Sequence, residues 1–225
     1  MSDVRLLRVR GNAPYEGVSA NPMEATGNKF GEQIVAQGQL GITELSRLGR
    51  SYEVSIATAN AFTFVAVWPT TRSELVIFNS AGAGGHSLVI DRCWLTNITT
   101  QAAAQHFSLL GQITPTSPVI AAPTDAGTTV VQTSLNGKVS ALGRLGVAVF
   151  ALASTAFALA NHWFILGNSA ASAMTTNLGA SLSAECFGRY IIPPGAAFNL
   201  AGLAGTAAGT AIIGCEYHEV KLDLG

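Results

Sequence analysis

The sequence predicts an all-β protein whose strands form an antiparallel β-sandwich or jelly roll. Short segments in which apolar and polar residues alternate recur along most of the chain, and this period of two is typical of half-buried strands. Runs of Gly, Pro, Asn and Thr separate these segments as turns would, and we count roughly eight to ten strands. No internal repeat and no regular exchange of strands with long helices is visible in the sequence, which disfavours propellers, solenoids and α/β folds.

The first residues of the chain lack this alternation. Residues 1–31 mix Pro, Gly and Asn with no sustained period, and we therefore expect an extended N-terminal arm. Residues 32–225 are expected to form one jelly-roll β-sandwich domain, because such folds often reach about 200 residues as a single unit. The segment ITELSRLGR allows a short helix that would end at Gly49.

The first predicted strands follow this segment. In YEVSIAT the large apolar residues, Tyr52, Val54 and Ile56, fall on one face. The pattern continues through ANAFTFVAVW, whose apolar face carries Phe62, Phe64, Ala66 and Trp68. ELVIFN predicts a further strand, and the glycine-dense NSAGAGGHS predicts the turn after it.

The next segment, SLVIDRCWLTNI, contains a conflict. Leu88, Ile90 and Trp94 share one face of the predicted strand, but Arg92 has the same parity. Either the strand is bulged at this point, or the arginine lies near the strand end and keeps its charge in water.

The middle of the chain is the least regular part of the predicted domain. Residues 101–127 read as an extended loop around a short strand, and TTVVQTSLNGKVS reads as a strand and a turn in which Asn136 and Gly137 suit type I′. The Ala-rich LGVAVFALASTAFALANHWFIL fits a helical stripe as well as strands. We favour two strands joined near Ser154 and Thr155, followed after HWFIL by a polar loop, GNSAASAMTTNLG.

The C-terminal region predicts three strands joined by a tight corner and a small-residue turn. Pro193 and Pro194 cannot donate ladder hydrogen bonds, so the strand before them must stop at Ile192 or run along an edge. The following strand places Phe198 and Leu200 together. The last strand carries Ile213, Cys215 and Tyr217 on one face and Glu216 and His218 on the other.

The low charge of the chain favours an assembly subunit. Charged residues make up 11% of the sequence, against about a quarter in an average protein. Few charges must therefore be desolvated when such surfaces pack together. The net charge of -1 argues against direct binding to nucleic acid, and the arginines of VRLLRVR are best explained by a solvated or subunit-bridging arm.

The cysteines and the apolar segments favour folding in the cytoplasm. Cys93, Cys186 and Cys215 are widely spaced in apolar surroundings, and we expect buried, reduced thiols. The segment LGVAVFALASTAFALAN is shorter than the roughly 20 residues that a membrane-spanning helix needs, and the N-terminus lacks the features of a signal peptide. A membrane partner is therefore not expected.

The sequence carries no clear pattern of catalytic or metal-binding residues. GxSxG is absent, the glycine-dense turn lacks the lysine of a phosphate-binding loop, and no HExxH or paired-cysteine motif is present. The best candidate for acid–base chemistry is Glu216 with His218, which we interpret as an exposed polar pair. Trp68, Trp94 and Trp163 are expected in the core, although they would suit stacking on sugars if exposed. We therefore predict no enzyme and no catalytic, cofactor-binding or metal site.

Three segments carry a resemblance to a known family: TELSRLGRSYEVSIATANAF, ELVIFNSAGAGGHSLVIDRCWL and GRYIIPPGAAFNLAGLAGTAAGTAIIGCEYHEV. Together they resemble structural proteins of tailed-bacteriophage particles that contain a jelly-roll domain. In such proteins a Pro-Gly corner precedes a final strand that ends in an aromatic residue and Glu, matched here by Pro193, Pro194, Gly195, Tyr217 and Glu219. The resemblance covers most of the chain after residue 31 and implies a symmetric virion component, such as a decoration (cement), spike-base or fibre-associated protein.

Two functions follow as hypotheses. The first is a non-enzymatic capsid decoration protein of the virion, assembled in the host cytoplasm. Its expected partners are further copies of itself, as a homotrimer, and the major capsid protein or other virion proteins. The second is a carbohydrate- or receptor-binding β-sandwich module of a phage spike or fibre, favoured by loops rich in Gly, Ser, Thr and Asn. Neither hypothesis requires a cofactor.

Overall fold

The structure is a computed structural model that describes the chain in nine ranges between residues 42 and 222. The ranges are 42–70, 73–99, 105–115, 130–137, 140–142, 146–154, 162–171, 180–205 and 209–222. The predicted N-terminal arm, residues 1–31, lies outside the described residues.

The described ranges contain two short helical elements and twelve strands. The helical elements are α1 (Ile42–Arg47) and a 3₁₀ turn at Thr58–Asn60. The strands are β1 (Ser51–Ile56), β2 (Phe62–Thr63), β3 (Ser73–Asn79), β4 (Ser87–Asn97), β5 (Gln105–Thr114), β6 (Val130–Ser134), β7 (Ser140–Leu142), β8 (Ala148–Ser154), β9 (Phe164–Ala171), β10 (Ser181–Ile192), β11 (Ala197–Ala204) and β12 (Thr210–Val220). The predicted all-β class is confirmed.

The strands form two antiparallel sheets that share one core. Sheet one has the order β10-β4-β12-β1-β6-β7, and β2 pairs with the start of β12. Sheet two has the order β8-β3-β11-β5-β9. Two antiparallel sheets packed through their inner faces make a β-sandwich, which confirms this part of the prediction.

The strands pair in a nested order. β1 pairs with β12, β3 with β11, β4 with β10 and β5 with β9. Early strands therefore meet late strands, as they do when one long hairpin is rolled into two sheets. β6, β7 and β8 come between β5 and β9 in the chain, and they extend sheet one beyond β1 and sheet two beyond β3.

The inner faces of both sheets form one continuous hydrophobic core. Its fully buried aromatic residues are Phe64, Phe107, Phe150, Phe198 and Tyr217. Phe164, Tyr190 and Phe198 stack in succession between the sheets, with ring centroids 5.1 and 5.8 Å apart. Ile213 and Cys215 of β12 also face this core, as their alternation predicts.

A β-bulge in β4 resolves the conflict over Arg92. The register of β4 against β12 shifts at Asp91, which is an extra residue in β4. The shift reverses the alternation, so that Ile90 before it and Cys93 after it are both buried. Trp94 therefore lies on the outer face with Arg92. The bulge was one of the two predicted alternatives, whereas the prediction that Trp94 shares a face with Ile90 was wrong.

The strand predicted through ANAFTFVAVW is interrupted. The turn at Thr58–Asn60 separates β1 from β2, and β2 contains only two residues. Phe62 and Phe64 are buried as predicted, but Trp68 is 40% exposed. The alternation ends because the chain crosses here from sheet one to sheet two, where Val65 bridges to β11.

The described parts of the Ala-rich segment contain two strands, as predicted, and the predicted junction at Thr155 lies outside the described residues. β8 ends at Ser154 and β9 begins at Phe164, and the two strands pair with different partners, β3 and β5. β9 continues to Ala171, so the polar loop predicted from GNSAAS begins inside a strand. Polar residues such as Asn168 are tolerated there because β9 is an edge strand with an exposed side.

Three predicted chain reversals have different outcomes. Gly49, with a φ of 74°, follows α1 as expected of a helix end. β10 ends at Ile192 directly before the two prolines, and Gly195 completes the corner with a φ of 81°. In the turn after β6, Gly137 has a φ of 71° and its N–H donates to the carbonyl of Ser134, but the residue before it has a negative φ. Type I′ requires positive φ at both central residues, so that prediction was wrong.

The outer faces of the two sheets differ. On sheet one, buried residues alternate with more exposed ones along β1, β10 and β12. On sheet two, every residue of β3 is buried and β11 is buried almost throughout. The outer face of sheet two has an apolar cluster of its own, formed by Val76, Phe78, Val149 and Ala197.

Polar side chains on the outer face of sheet two are buried as well. Asn199 is fully buried, and its amide nitrogen donates to the Thr114 hydroxyl at 2.8 Å. The amide oxygen of Asn199 accepts a hydrogen bond of 3.3 Å from the Ser73 hydroxyl. Gln112, also fully buried, pairs with Asn199 in the register. The part of sheet two formed by β3 and β11 is therefore shielded from solvent on both faces.

Candidate functional site

The outer face of sheet one carries a row of charged residues that crosses four strands. The register places Glu185, Arg92, Glu216 and Glu53 side by side on β10, β4, β12 and β1. The Arg92 guanidinium donates a hydrogen bond to the Glu216 carboxylate. This bond raises the pKa of Arg92, and the carboxylates of Glu185 and Glu53 act in the same direction. We call these four residues the charged row.

An aromatic row lies next to the charged row. Trp94 pairs with Ser183 on one side and with Gly214 on the other, and Ser55 lies beyond Gly214. A Cβ atom at position 214 would lie 2.6 Å from Cζ2 and 2.7 Å from Cε2 of Trp94, so the indole lies against the backbone of β12. Only glycine leaves room for the ring in this position. We call Ser183, Trp94, Gly214 and Ser55 the aromatic row.

The three tryptophans are not all in the core. Trp163 is buried, with 7% of its surface exposed, as predicted. Trp68 is 40% exposed and Trp94 is half-buried on the outer face of sheet one, so the prediction was wrong for both. The sequence places Trp94 in an apolar alternation, and only the bulge at Asp91 turns it outward.

Glu216 and His218 share the outer face but have separate partners. His218 Nδ1 lies 2.8 Å from a carboxylate oxygen of Asp91, and these two side chains are only 12% and 16% exposed. Glu216 binds Arg92 instead. The interpretation as an exposed polar pair was therefore wrong. The sequence alone does not pair Asp91 with His218, because the bulge decides which residue of β4 lies beside His218.

The three cysteines meet in the core where β10, β4 and β12 adjoin. All three are buried and free, as predicted. Cys93 Sγ lies 3.8 Å from Cys186 Sγ, and Cys215 pairs with Cys93 in the register. Burial raises the pKa of Cys93. The contact of Cys186 with Cys93, followed by burial, raises the pKa of Cys186. Both thiols are therefore neutral, so neither is activated as a nucleophile.

A buried polar cluster lies on the inner face of sheet one. The carboxylate of Glu219, a residue that is 6% exposed, accepts a hydrogen bond of 2.7 Å from the N–H of Val147. The rings of Tyr52 and Tyr217 lie 5.5 Å apart, and Gln132 donates to the Tyr217 hydroxyl. Burial, followed by the charge of Glu219, raises the pKa of Tyr52 to about 12, and the same causes raise that of Tyr217. Both phenols are neutral at physiological pH, so the cluster serves packing of the sheet.

A cavity of about 570 Å³ opens between the sheets near β2. Residues of β1, β2, β3 and β8 line it, and Glu74 of β3 is the acidic residue among them. Among the described residues of the lining there is no histidine and no second carboxylate that could share a proton with Glu74. These residues therefore do not supply the paired groups of an acid–base site.

The edge formed by β9 and β10 exposes large apolar side chains. β9 and β10 are the last strands of their sheets and contact each other. The exposed fractions are 75% for Phe187, 54% for Ile165 and 37% for Ile191. We call these three residues the apolar edge.

Phe187 lies in an irregular bulge of β10. Pairing with β4 is interrupted between Glu185 and Tyr190, where residues 186–189 lie opposite Asp91 alone. Phe187 has a φ of 51°, which is uncommon for a residue with a side chain. The side chain before it, Cys186, is buried in the core, so the bulge turns the two neighbours in different directions.

No family model, characterised protein or solved structure matches the chain. Within the described ranges, no group of three or more His, Cys, Asp or Glu residues could hold a metal ion. The helices in the same ranges are too short to cross a membrane. The features that bear on function are therefore the charged row, the aromatic row and the apolar edge of the sandwich.

Proposed function

We propose that this protein is a non-enzymatic structural component of a virus particle, a capsid decoration (cement) protein that associates with copies of itself and stabilises the particle. The observation that carries the proposal is the apolar edge, and in particular the exposed Phe187. The nested strand order and the low charge of the chain support it.

The nested pairing favours a jelly roll. Four early strands pair with four late strands in reverse order, and β6 to β8 form an insertion that extends both sheets. Jelly rolls occur in viral capsid proteins and in lectins. Because one fold serves many functions, the support for assembly comes from the exposed residues of the apolar edge.

Phe187 is placed as the anchor of an interface would be. A non-glycine residue at positive φ costs of the order of 1 kcal/mol, and a phenylalanine side chain left in water forgoes about 2 kcal/mol of burial. The isolated chain bears both costs, since Phe187 combines a φ of 51° with 75% exposure. Both are offset when the ring enters a pocket on a partner, which is the usual placement of an aromatic residue that dominates binding.

The partner that suits the apolar edge is a further copy of this chain. Charged residues make up only 11% of the sequence, so the average surface of the chain desolvates at low cost, although Glu185 and Arg189 flank Phe187. The bulge at residues 186–189 interrupts the regular edge of β10, so β10 cannot pair along its length with a strand of a neighbouring copy. Contact through side chains is favoured instead. Packing of each edge against the next copy closes a ring, and we propose a homotrimer. In the particle, this oligomer would bind the major capsid protein or other virion proteins.

Light scattering on the full chain tests self-association. We expect a stable oligomer with the mass of a trimer for the wild type, and a monomer for Phe187→Ser. Val67→Ser is the matched control, because Val67 is 72% exposed but lies in the connection after β2. A monomeric wild type at high concentration, or the same loss of mass in both variants, contradicts the proposal. Failure of the oligomer to sediment with virus particles would remove the assignment to the virion.

A further inference from the structure

We propose that the outer face of sheet one binds a neutral carbohydrate chain, with Trp94 as the stacking platform and the charged row as the hydrogen-bonding groups. The proposal rests on the aromatic and charged rows, and it is independent of self-association through the apolar edge.

Trp94 has the geometry of a platform. Its indole lies against the backbone at Gly214, since a Cβ there would approach Cζ2 to 2.6 Å. One face of the ring is thereby packed on the sheet, and the half-buried side chain retains surface for a ligand. The electron-rich face of an aromatic ring attracts positively polarised C–H groups, such as those on the less polar face of a pyranose.

The charged row supplies groups that bind hydroxyls. Arg92 and Trp94 are two residues apart on the same face of β4 after the bulge, so the two rows are roughly 7 Å apart. This separation is about the width of a sugar ring with its hydroxyls. The guanidinium of Arg92 donates hydrogen bonds, and the carboxylates of Glu216 and Glu53 accept them. Vicinal hydroxyls both donate and accept, so they fit such a mixed row.

The rows are also held rigidly. Arg92 is bound to Glu216, and the residues of both rows lie on four paired strands of sheet one, β10, β4, β12 and β1. Rigid positioning reduces the entropy lost when a weakly binding ligand is captured. The short side chains beside the indole, Ser183 and Ser55, leave space for a chain to pass across the sheet.

The charge of the face selects against other ligands. The row contains three carboxylates and one guanidinium, so it repels phosphate groups and anionic polymers. The two rows lie outside the lining of the cavity near β2, and Glu185 and Ser183 at their β10 end are exposed, which suits an extended chain in contact along one side. A neutral glycan carries no charge that must be desolvated on such a surface, and its hydroxyls can exchange water for the groups of the charged row.

Titration of the full chain with maltohexaose, cellohexaose, mannohexaose and chitohexaose tests the proposal, with tryptophan fluorescence and calorimetry as the two readouts. We expect saturable binding of at least one of them that persists when salt is raised. Trp94→Ala is expected to weaken this binding about tenfold, and Trp94→Phe, which keeps a ring, to weaken it less. Trp68→Ala is the matched control and should bind as the wild type does.

Three outcomes overturn the proposal: no binding of any hexasaccharide, equal binding by Trp94→Ala and the wild type, or binding only of a cationic oligo-lysine probe that salt abolishes. If Trp94→Ala fails to fold, the comparison moves to Glu216→Gln, which is expected to weaken binding about threefold. Equal binding by the folded Glu216→Gln variant and the wild type would then overturn it. The mass of Trp94→Ala or Glu216→Gln in light scattering should remain that of the wild type, which separates this proposal from self-association.

Discussion

Both sheets are built from antiparallel strands, but their outer faces differ in exposure to solvent. On sheet one, Arg92, Glu216 and Trp94 are partly exposed. On sheet two, Val76 and Asn199, at equivalent outward positions, are fully buried. A sheet with one wet face presents groups to a ligand or partner, whereas a sheet buried on both faces contributes mainly to stability.

The strand sequences already contain this difference. β12 alternates except at Gly214, with buried residues at every second position from Ala211 to Glu219. β3, by contrast, contains the continuous apolar run LVIF, and β11 combines apolar residues with small ones. Continuous apolar runs are typical of strands that are covered on both sides. Alternation, rather than mean hydropathy, therefore marks the face that is free to bind.

The largest expected effect comes from placing a charge on each outer face. Val76→Asp should lower the free energy of unfolding by about 4 kcal/mol or abolish folding, because the carboxylate is buried without a partner. Val131→Asp, on the half-exposed side of β6, should lower it by less than about 1 kcal/mol. Urea unfolding followed by circular dichroism measures both. Equal losses would show that the two faces do not differ in burial.

A smaller effect is expected from the buried polar residues of sheet two. Asn199→Ala leaves the hydroxyls of Ser73 and Thr114 without this amide partner, and it should cost about 2 kcal/mol. Ser55→Ala, on the outer face of sheet one, is the matched control and should cost less than about 0.5 kcal/mol. The same urea titration applies. A neutral Asn199→Ala would show that the outer face of sheet two is open to water.

The core that both sheets share contains Tyr52, and we expect it to make the stability of the protein depend on pH. The folded-state pKa of Tyr52 is raised from 10.0 to about 12, so the stability that the neutral phenol contributes is complete below pH 10 and is lost as pH rises toward 12. Tyr52→Phe cannot ionise and should lose less stability over this range than the wild type. Unfolding at several alkaline pH values, with the ultraviolet absorbance of tyrosinate, measures this. Parallel losses in the two proteins would argue against a raised pKa at Tyr52.

The smallest effect is expected on the outer face of sheet one. Glu216→Gln removes the charge of the partner of Arg92, but these side chains are 21% and 40% exposed. Solvent screening keeps the contribution of such a pair below about 1 kcal/mol, and salt should reduce it further. Urea unfolding at low and high salt tests this. A loss as large as that expected for Asn199→Ala would mean that the charged row is structural and would weaken its role in ligand binding.

The candidate sites were only partly predictable. The sequence identified Trp94, Glu216 and His218 as residues of interest, but it assigned Trp94 to the core and treated the other two as one pair. A single extra residue, Asp91, turns Trp94 outward and provides a separate partner for His218. Sequence patterns do not locate such a residue, because a bulge is defined by the partner strand.

Local sequence patterns are sufficient to predict the all-β class, the alternation of β1 and β12, the end of β10 before the prolines and the burial of the cysteines. These features depend on side-chain type and on the backbone limits of nearby residues, which are local properties. The bulge in β4 and the outward direction of Phe187 appear only in the tertiary structure. They depend on which distant strand lies alongside and in which register, and contacts between distant residues set both.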